Sequence, residues 1–181
     1  MSASRKIVAG LFMSLDGVVE APETWHFPYV DEEMGEAVES MHAAADTLLL
    51  GRTTYESFAA VWPDQVGALA DKLNDIRKLV ASTTLAKTEW TNTSLIDGDV
   101  IEAVAGLKRQ PGKAIHLSGS LTLTRALLHA GLVDELRLLV HPIVLGSGRR
   151  LFPEGATSMP VELVRSATFS TGVVDLTYRT A

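Results

Sequence analysis

No cysteine occurs anywhere in the chain, which excludes disulfides, thiolate metal sites and a cysteine nucleophile. Positive charge is also short: 16 lysines and arginines stand against 22 aspartates and glutamates, a formal net charge of −6. Nucleic-acid binders usually carry a basic face, so this balance argues against such a partner. No apolar run reaches membrane-spanning length, and Met1–Lys6 is too short and polar to open a secretory signal. The expectation is a cytoplasmic protein with a small-molecule partner, no nucleic acid and no membrane. The five histidines (His26, His42, His116, His129, His141) are scattered without ligand spacing, so no metal is expected. There is no Gly-x-Ser-x-Gly elbow for a serine hydrolase. Gly119 stands outside any Gly-x-Gly-x-x-Gly run, and Gly146–Arg150 lacks the lysine and following helix of a phosphate-binding P-loop.

What is present is ordinary globular composition, 46% hydrophobic and 21% charged, in 181 residues, the size of one domain spanning 1–181. Short apolar runs alternate with helical patterns. Ile7–Leu15 reads as a strand ending in an Asp16-Gly17 turn. Asp31 can cap a helix whose Met34, Ala37, Val38, Met41 and Ala45 share one face. Thr47–Leu50 is continuously apolar, as a strand buried on both sides requires. A helix is predicted around Tyr55–Ala60 and a strand over Ile76–Ala81. Asp99 and Glu102 form a capping box ahead of Val104 and Leu107, closed by Pro111-Gly112. Ala114–Leu117 is a strand, Leu121–Ala130 a helix, and Gly131 its stop signal. Glu135–Val140, Glu162–Ser170 and Val173–Arg179 complete the strands, the last two joined at Thr171-Gly172. The alternation predicts a mixed, mostly parallel sheet with an antiparallel C-terminal edge hairpin.

Ligands of such sheets bind beyond the carboxyl ends of the strands. Three of these ends share one character: Gly51-Arg52-Thr53-Thr54, Ser82-Thr83-Thr84 and Ser118-Gly119-Ser120 all carry small or hydroxyl residues. Two lead straight into helices, whose free N–H groups and dipole favour an anion, and a glycine lets a phosphate approach the backbone. Each junction alone is also what ordinary helix capping needs. Their recurrence at three strand ends suggests a dinucleotide.

In sequence order, five segments resemble the dihydrofolate-reductase-like superfamily. Leu50-Gly51-Arg52-Thr53-Thr54-Tyr55-Glu56 resembles its strand–glycine–arginine–threonine turn. Val80-Ala81-Ser82-Thr83-Thr84 and Leu117-Ser118-Gly119-Ser120 resemble its second and third junctions. Ser14-Leu15-Asp16-Gly17 and Val133-Asp134-Glu135-Leu136, with Pro142–Gly148 and Leu151-Phe152, are similar to the riboflavin-biosynthesis branch, the RibD C-terminal domain. The resemblance implies a three-layer α/β/α fold and an NADPH-dependent oxidoreductase. It places Gly51, Arg52, Thr53 and Thr54 on the cofactor phosphates. Ser82, Thr83 and Thr84 fall around the adenosine ribose and its 2′-phosphate, and Ser118, Gly119, Ser120 and Leu121 on the pyrophosphate and nicotinamide side. The bottom-up chemistry agrees with NADPH over NADH, since the second junction offers three neutral hydroxyls, Arg52 is available as a planar cation, and no carboxylate stands there to repel a 2′-phosphate.

The substrate end is read more coarsely. Asp16 and Asp31 are the candidate proton-handling residues, although Asp16 also suits a turn and Asp31 a helix cap. Trp25-His26-Phe27-Pro28-Tyr29-Val30-Asp31 resembles the dihydrofolate reductase stretch ahead of its pterin-binding acid, with Val30 where the acid is expected. The later threonine of that network corresponds to Val140. Trp25, Tyr55 and Phe58 are candidate walls of a heterocycle pocket, and the spacing of Tyr55 and Phe58 is equally that of a core-packed helix. The function implied is reduction of a pteridine or ribosylamino-pyrimidine-like substrate, as by 5-amino-6-(5-phosphoribosylamino)uracil reductase. A non-catalytic NADPH-binding dimer and a true dihydrofolate reductase are the alternatives. The branch and the mean hydropathy of +0.17 also imply a homodimer through Leu136–Val140 and Glu162–Ser170.

Overall fold

Alternation in the apolar runs builds a sheet that is covered on both faces. The computed structural model describes residues 4–180. Its elements are β1 (Ile7–Ser14), α1 (Glu32–Ala43), β2 (Ala45–Gly51), α2 (Arg52–Ala59), α3 (Ala68–Asp75), β3 (Arg77–Ala81) and β4 (Thr93–Leu95). They continue with α4 (Val100–Lys108), β5 (Ala114–Ser118), α5 (Leu121–His129), β6 (Glu135–His141), β7 (Val161–Thr168) and β8 (Val174–Thr180). The strands form one sheet in the order β4-β3-β2-β5-β1-β6-β8-β7. Neighbours from β4 to β6 are parallel, and β8 runs antiparallel to both β6 and β7. This is the mixed sheet with an antiparallel edge that the sequence predicts.

Successive side chains of a strand face opposite ways, so each central strand feeds two cores. Ile7, Ala9, Leu11, Leu49, Ile115, Leu117, Leu136 and Leu138 pack with Val104 and Leu107 of α4 and Leu123 and Leu127 of α5. On the other face, Leu48, Leu50 and Val80 meet Tyr55 of α2 and Leu73 of α3. Leu139 meets Met34, Ala37 and Met41 of α1 there. Leucines 48, 49 and 50 are all fully buried, each stabilising the fold by about 1.5–3 kcal/mol. The sheet is therefore the middle of three layers.

Both predicted aspartate caps form, although α4 ends at Lys108, ahead of Pro111-Gly112. The Asp31 carboxylate accepts the Met34 N–H at 2.9 Å, and Asp99 accepts the Glu102 N–H at 2.9 Å. Some boundaries differ. Ala45 opens β2 instead of lying on the α1 face, and α2 begins three residues before Tyr55, directly at Arg52. Strand β7 stops at Thr168 because Phe169 already bonds across the turn to Val173 O. Helix α3 and strand β4 are additional. Buried Lys78 closes α3: its Nζ donates to the carbonyls of Leu73, Asn74 and Ile76 and lies 4.3 Å from the Trp90 ring centre. A cation at a helix C-terminus complements the dipole.

Chain order and space diverge at β5. The chain leaves β1, builds β2, β3 and β4 outward, then returns to insert β5 between β2 and β1 before adding β6 on the far side. Such a switch point leaves a crevice at the carboxyl ends of its strands. Gly51, Ser118 and Ser14 end the three strands that flank it.

Candidate active site at the carboxyl edge of the sheet

The junction after β5 is shaped by two consecutive left-handed residues, Gly119 (φ 53°) and Ser120 (φ 54°). Glycine takes this conformation freely, while for serine it costs of order 1–3 kcal/mol and needs support from its surroundings. The support is visible. Gly119 N–H donates to Gly10 O of β1 at 3.0 Å, and the Thr124 hydroxyl returns to Gly119 O at 2.7 Å. The Ser120 N–H donates to Thr54 Oγ1 at 3.2 Å. The Ser120 hydroxyl accepts the Gly51 N–H at 2.7 Å. Ser120 therefore bonds across to α2 and does not cap its own helix.

These bonds set the first turns of α2 and α5 side by side. Neither helix has a side-chain cap, whereas α1 and α4 are capped by aspartates. Helix α3 also lacks one, but it starts at exposed Gly67, away from that crevice. At the β5 crevice the uncapped N–H groups of two helices face the same edge, which is a donor set suited to paired phosphates. Arg52 and Thr53 are exposed on the first turn of α2, and among the described residues Arg52 is held only by Glu56 at 3.7 Å. Leu121 is half-buried against the core. At the end of β3, the Ser82 hydroxyl accepts the N–H groups of Thr84 and Leu85 at 3.2 and 3.0 Å, leaving Thr83 and Thr84 exposed.

Asp16 follows β1 at the same edge. Its carboxylate accepts the Ser14 hydroxyl at 2.7 Å and the N–H groups of Leu145 and Gly146 at 3.1 and 2.9 Å. Arg150 adds a cation at 3.6 Å. The Ser14 hydroxyl, then the two N–H groups, hold the Asp16 carboxyl far below the usual carboxylate range. It is an ionised acceptor that ties the 143–150 loop to β1. Asp31, besides capping α1, accepts the Ser170 hydroxyl at 3.1 Å, joining that helix to the β7–β8 turn.

The three expected pocket walls are not brought together. Tyr55 is buried under β2 and β3, its hydroxyl taking the Glu89 and Trp90 N–H groups, and Phe58 packs against Trp62 in the same cluster. Trp25 lies instead against His141 at the end of β6, with ring centres 5.1 Å apart. Val140 packs into the α4–α5 core, so the β6 residue facing the α1 side at the carboxyl edge is His141. In the sequence His141 is only one of five scattered histidines; the two-residue alternation of Leu136, Leu138 and Val140 is the signal that turns it to the opposite face. Two surface depressions, of about 440 and 290 Å³, lie at the amino ends of the strands, by Asp75, Arg77 and Trp90 and by Ala45, Ala114 and His116. Neither includes a residue of the three junctions.

The sheet order, the β5 switch point and the glycine–hydroxyl junctions define a dihydrofolate-reductase-like α/β protein. The fold matches dihydrofolate reductase from Enterococcus faecalis with a TM-score of 0.64 at 18% identity, covering 97% of this chain and 96% of that one. A protein of Shewanella sp. PV-4 named for riboflavin biosynthesis matches with a TM-score of 0.76 at 20% identity, covering 97% and 99%. The chain belongs to the RibD C-terminal domain family, whose sequence profile matches residues 5–174. It is 32% identical to the uncharacterized protein YyaP of Bacillus subtilis (strain 168), over 96% of this chain and 94% of the relative.

Proposed function

We propose that this protein is an NADPH-dependent reductase that delivers a hydride to a planar nitrogen heterocycle of the pteridine or aminopyrimidine kind. The observation that carries the reading is the pair of uncapped helix starts locked together at the β5 crevice by Ser120 and Gly51. Membership in the RibD C-terminal domain family supports a reductase, and the fold is shared with a dihydrofolate reductase that was crystallised with NADP(H).

In this reading the α2 and α5 N–H groups bind the pyrophosphate, with Arg52 and Thr53 beside it. Ser82, Thr83 and Thr84 receive the adenosine ribose, and Arg52 is the cation within reach of a 2′-phosphate. The three junctions hold no carboxylate, which fits a phosphate better than a free 2′-hydroxyl. Ser118, Gly119 and Leu121 place the nicotinamide beside β1, and the cofactor when bound supplies the hydride. Asp16 keeps the 143–150 loop against β1, where that loop shields the reacting face from water. With both Asp16 and Asp31 engaged as acceptors, the proton reaches product through solvent at the site mouth.

Loss of NADPH absorbance in the presence of a panel of pterins, aminopyrimidines, dihydrofolate and small carbonyl compounds tests the proposal. Turnover of a heterocycle is the expected result. NADPH binding without turnover of any compound would favour the non-catalytic dimer, and efficient dihydrofolate reduction would make the protein a true dihydrofolate reductase.

A further inference from the structure

A cluster of six rings stands where the carboxyl ends of β1 and β6 approach α1, and the cofactor reading does not use it. Phe12 comes from β1 and His141 from the end of β6. Trp25, His26, Phe27 and Tyr29 come from the segment before α1. The His141 ring centre lies 5.1 Å from Trp25 and 5.5 Å from both Phe12 and Tyr29. His26 is sandwiched between Phe12 at 4.8 Å and Phe27 at 4.4 Å, tilted 30° and 35° from them. Phe27 forms the outer wall and is 64% exposed.

Two ring nitrogens in the cluster are buried without a hydrogen-bond partner: His141 Nε2 and His26 Nδ1. Folded proteins leave few buried polar atoms unpaired, and those that remain call for a reason. For His141 the tautomer follows from geometry. Its Nδ1 lies 2.9 Å from Leu139 O, which only accepts, so Nδ1 carries the proton and Nε2 presents a lone pair. Burial lowers the pKa of both imidazoles, which keeps them uncharged.

We propose that His141 Nε2 and His26 Nδ1 form the polar end of the substrate subsite, and that the substrate is an uncharged planar ring carrying an N–H donor and no phosphate. The proposal rests on the reductase reading, because that reading sets the nicotinamide at Gly119, which is bonded to Gly10 two residues before Phe12. Aromatic faces hold a flat ring, and a neutral imidazole lone pair accepts from its amino or ring N–H. A phosphate would find no cation on these rings. The Glu23 carboxylate beside His26 is of the wrong sign. Arg149 and Arg150 are engaged with Thr122 and with Asp16. The cation–π contact among the described residues is elsewhere, between Lys78 and Trp90. His141 is fully buried, and exposed Phe27 is the wall whose displacement admits the ligand.

The test uses the full chain with saturating NADP+ and follows fluorescence on titration with pterin, with NADPH affinity measured separately for every variant. Wild type binds pterin. His141→Phe weakens it about tenfold, as loss of one hydrogen bond in a desolvated site requires, and His141→Gln, which restores an acceptor, recovers most of the loss. His26→Phe, at a less buried position, weakens pterin about three- to tenfold and carries the test if His141→Phe does not fold. NADPH affinity stays unchanged throughout. A 5-amino-6-ribosylaminouracil binds at least as tightly as its 5′-phosphate. Unchanged pterin affinity in the folded histidine variants, absence of pterin binding in a wild type that binds NADPH, or a phosphate that tightens binding tenfold or more would each overturn the proposal. Histidine-dependent pterin binding in a protein without NADPH affinity would overturn the reductase reading instead.

Discussion

The Gly51 N–H donates to the Ser120 hydroxyl at 2.7 Å, across 69 positions of sequence. Through this bond the ends of β2 and β5 share one support, and the strained left-handed Ser120 is held by the helix it aligns. Ser120→Ala removes the acceptor while leaving alanine in a conformation it disfavours, and is expected to cost about 1–3 kcal/mol of stability. Ser120→Gly relieves the backbone strain but still loses the acceptor. Both variants are expected to bind NADPH on the order of tenfold more weakly. Calorimetric titration with NADPH checks this; equal affinity in Ser120→Gly would detach the bond from the proposed cofactor site.

Arg52 separates a structural role from a ligand-binding one. Its ion pair with Glu56 is long and exposed, and such i,i+4 pairs contribute only about 0.3–0.5 kcal/mol. Arg52→Ala should leave the melting temperature nearly unchanged. If Arg52 meets a cofactor phosphate, NADPH affinity falls by about ten- to a hundredfold. If that phosphate is the 2′-phosphate, NADH affinity falls far less, and paired titrations with the two nucleotides read the difference.

Stability is expected to fall on acidification below about pH 6.5, the ordinary histidine value. His42 and His116 are buried in contact, with ring centres 4.6 Å apart, between α1 and β5. Burial lowers both pKa values; the Val38 carbonyl partly offsets this at His42 while Lys72 adds to it, and His42 and Arg137 lower His116 further. Above 6.5 the imidazoles are neutral whether folded or not. Below it the unfolded chain takes up protons that the fold refuses, so stability drops by up to about 1.4 kcal/mol per pH unit for each histidine. Urea unfolding at pH 7.5 and 5.5 measures the drop, and His42→Gln should shrink it.

The edge strand β7 is exposed along nearly its whole length, including Val161, Leu163 (51% exposed) and Val164. An unpaired strand edge with apolar side chains is a surface that proteins usually cover. A homodimer through this strand is the expected outcome in light scattering, with Leu163→Arg shifting it to monomer. A monomer mass for wild type at micromolar concentration would rule the dimer out.

The sheet was legible because its strands are continuous apolar runs punctuated by glycines, and Asp31 and Asp99 announced their helices by capping chemistry. Helix α3 was not, since its buried face is only Ala70 and Leu73, and β4 has three residues, too few for a period. The three junctions could be placed at strand ends from sequence. That Ser120 would bond to Gly51 instead of capping its own helix could not, because nothing local encodes a partner 69 positions away. The ring cluster was hidden for the same reason: the pairing of β6 with β1 sets His141 beside Phe12, and His26, far from both in the chain, stacks on that ring.

Isothermal titration of the purified full chain with NADPH and with NADH bears most directly on the dinucleotide site proposed between α2 and α5. The expected result is one NADPH per chain, bound at least tenfold more tightly than NADH, a difference of about 1.4 kcal/mol or more. No detectable NADPH binding, or equal affinity for the two nucleotides, would contradict the assignment of that crevice and of Arg52.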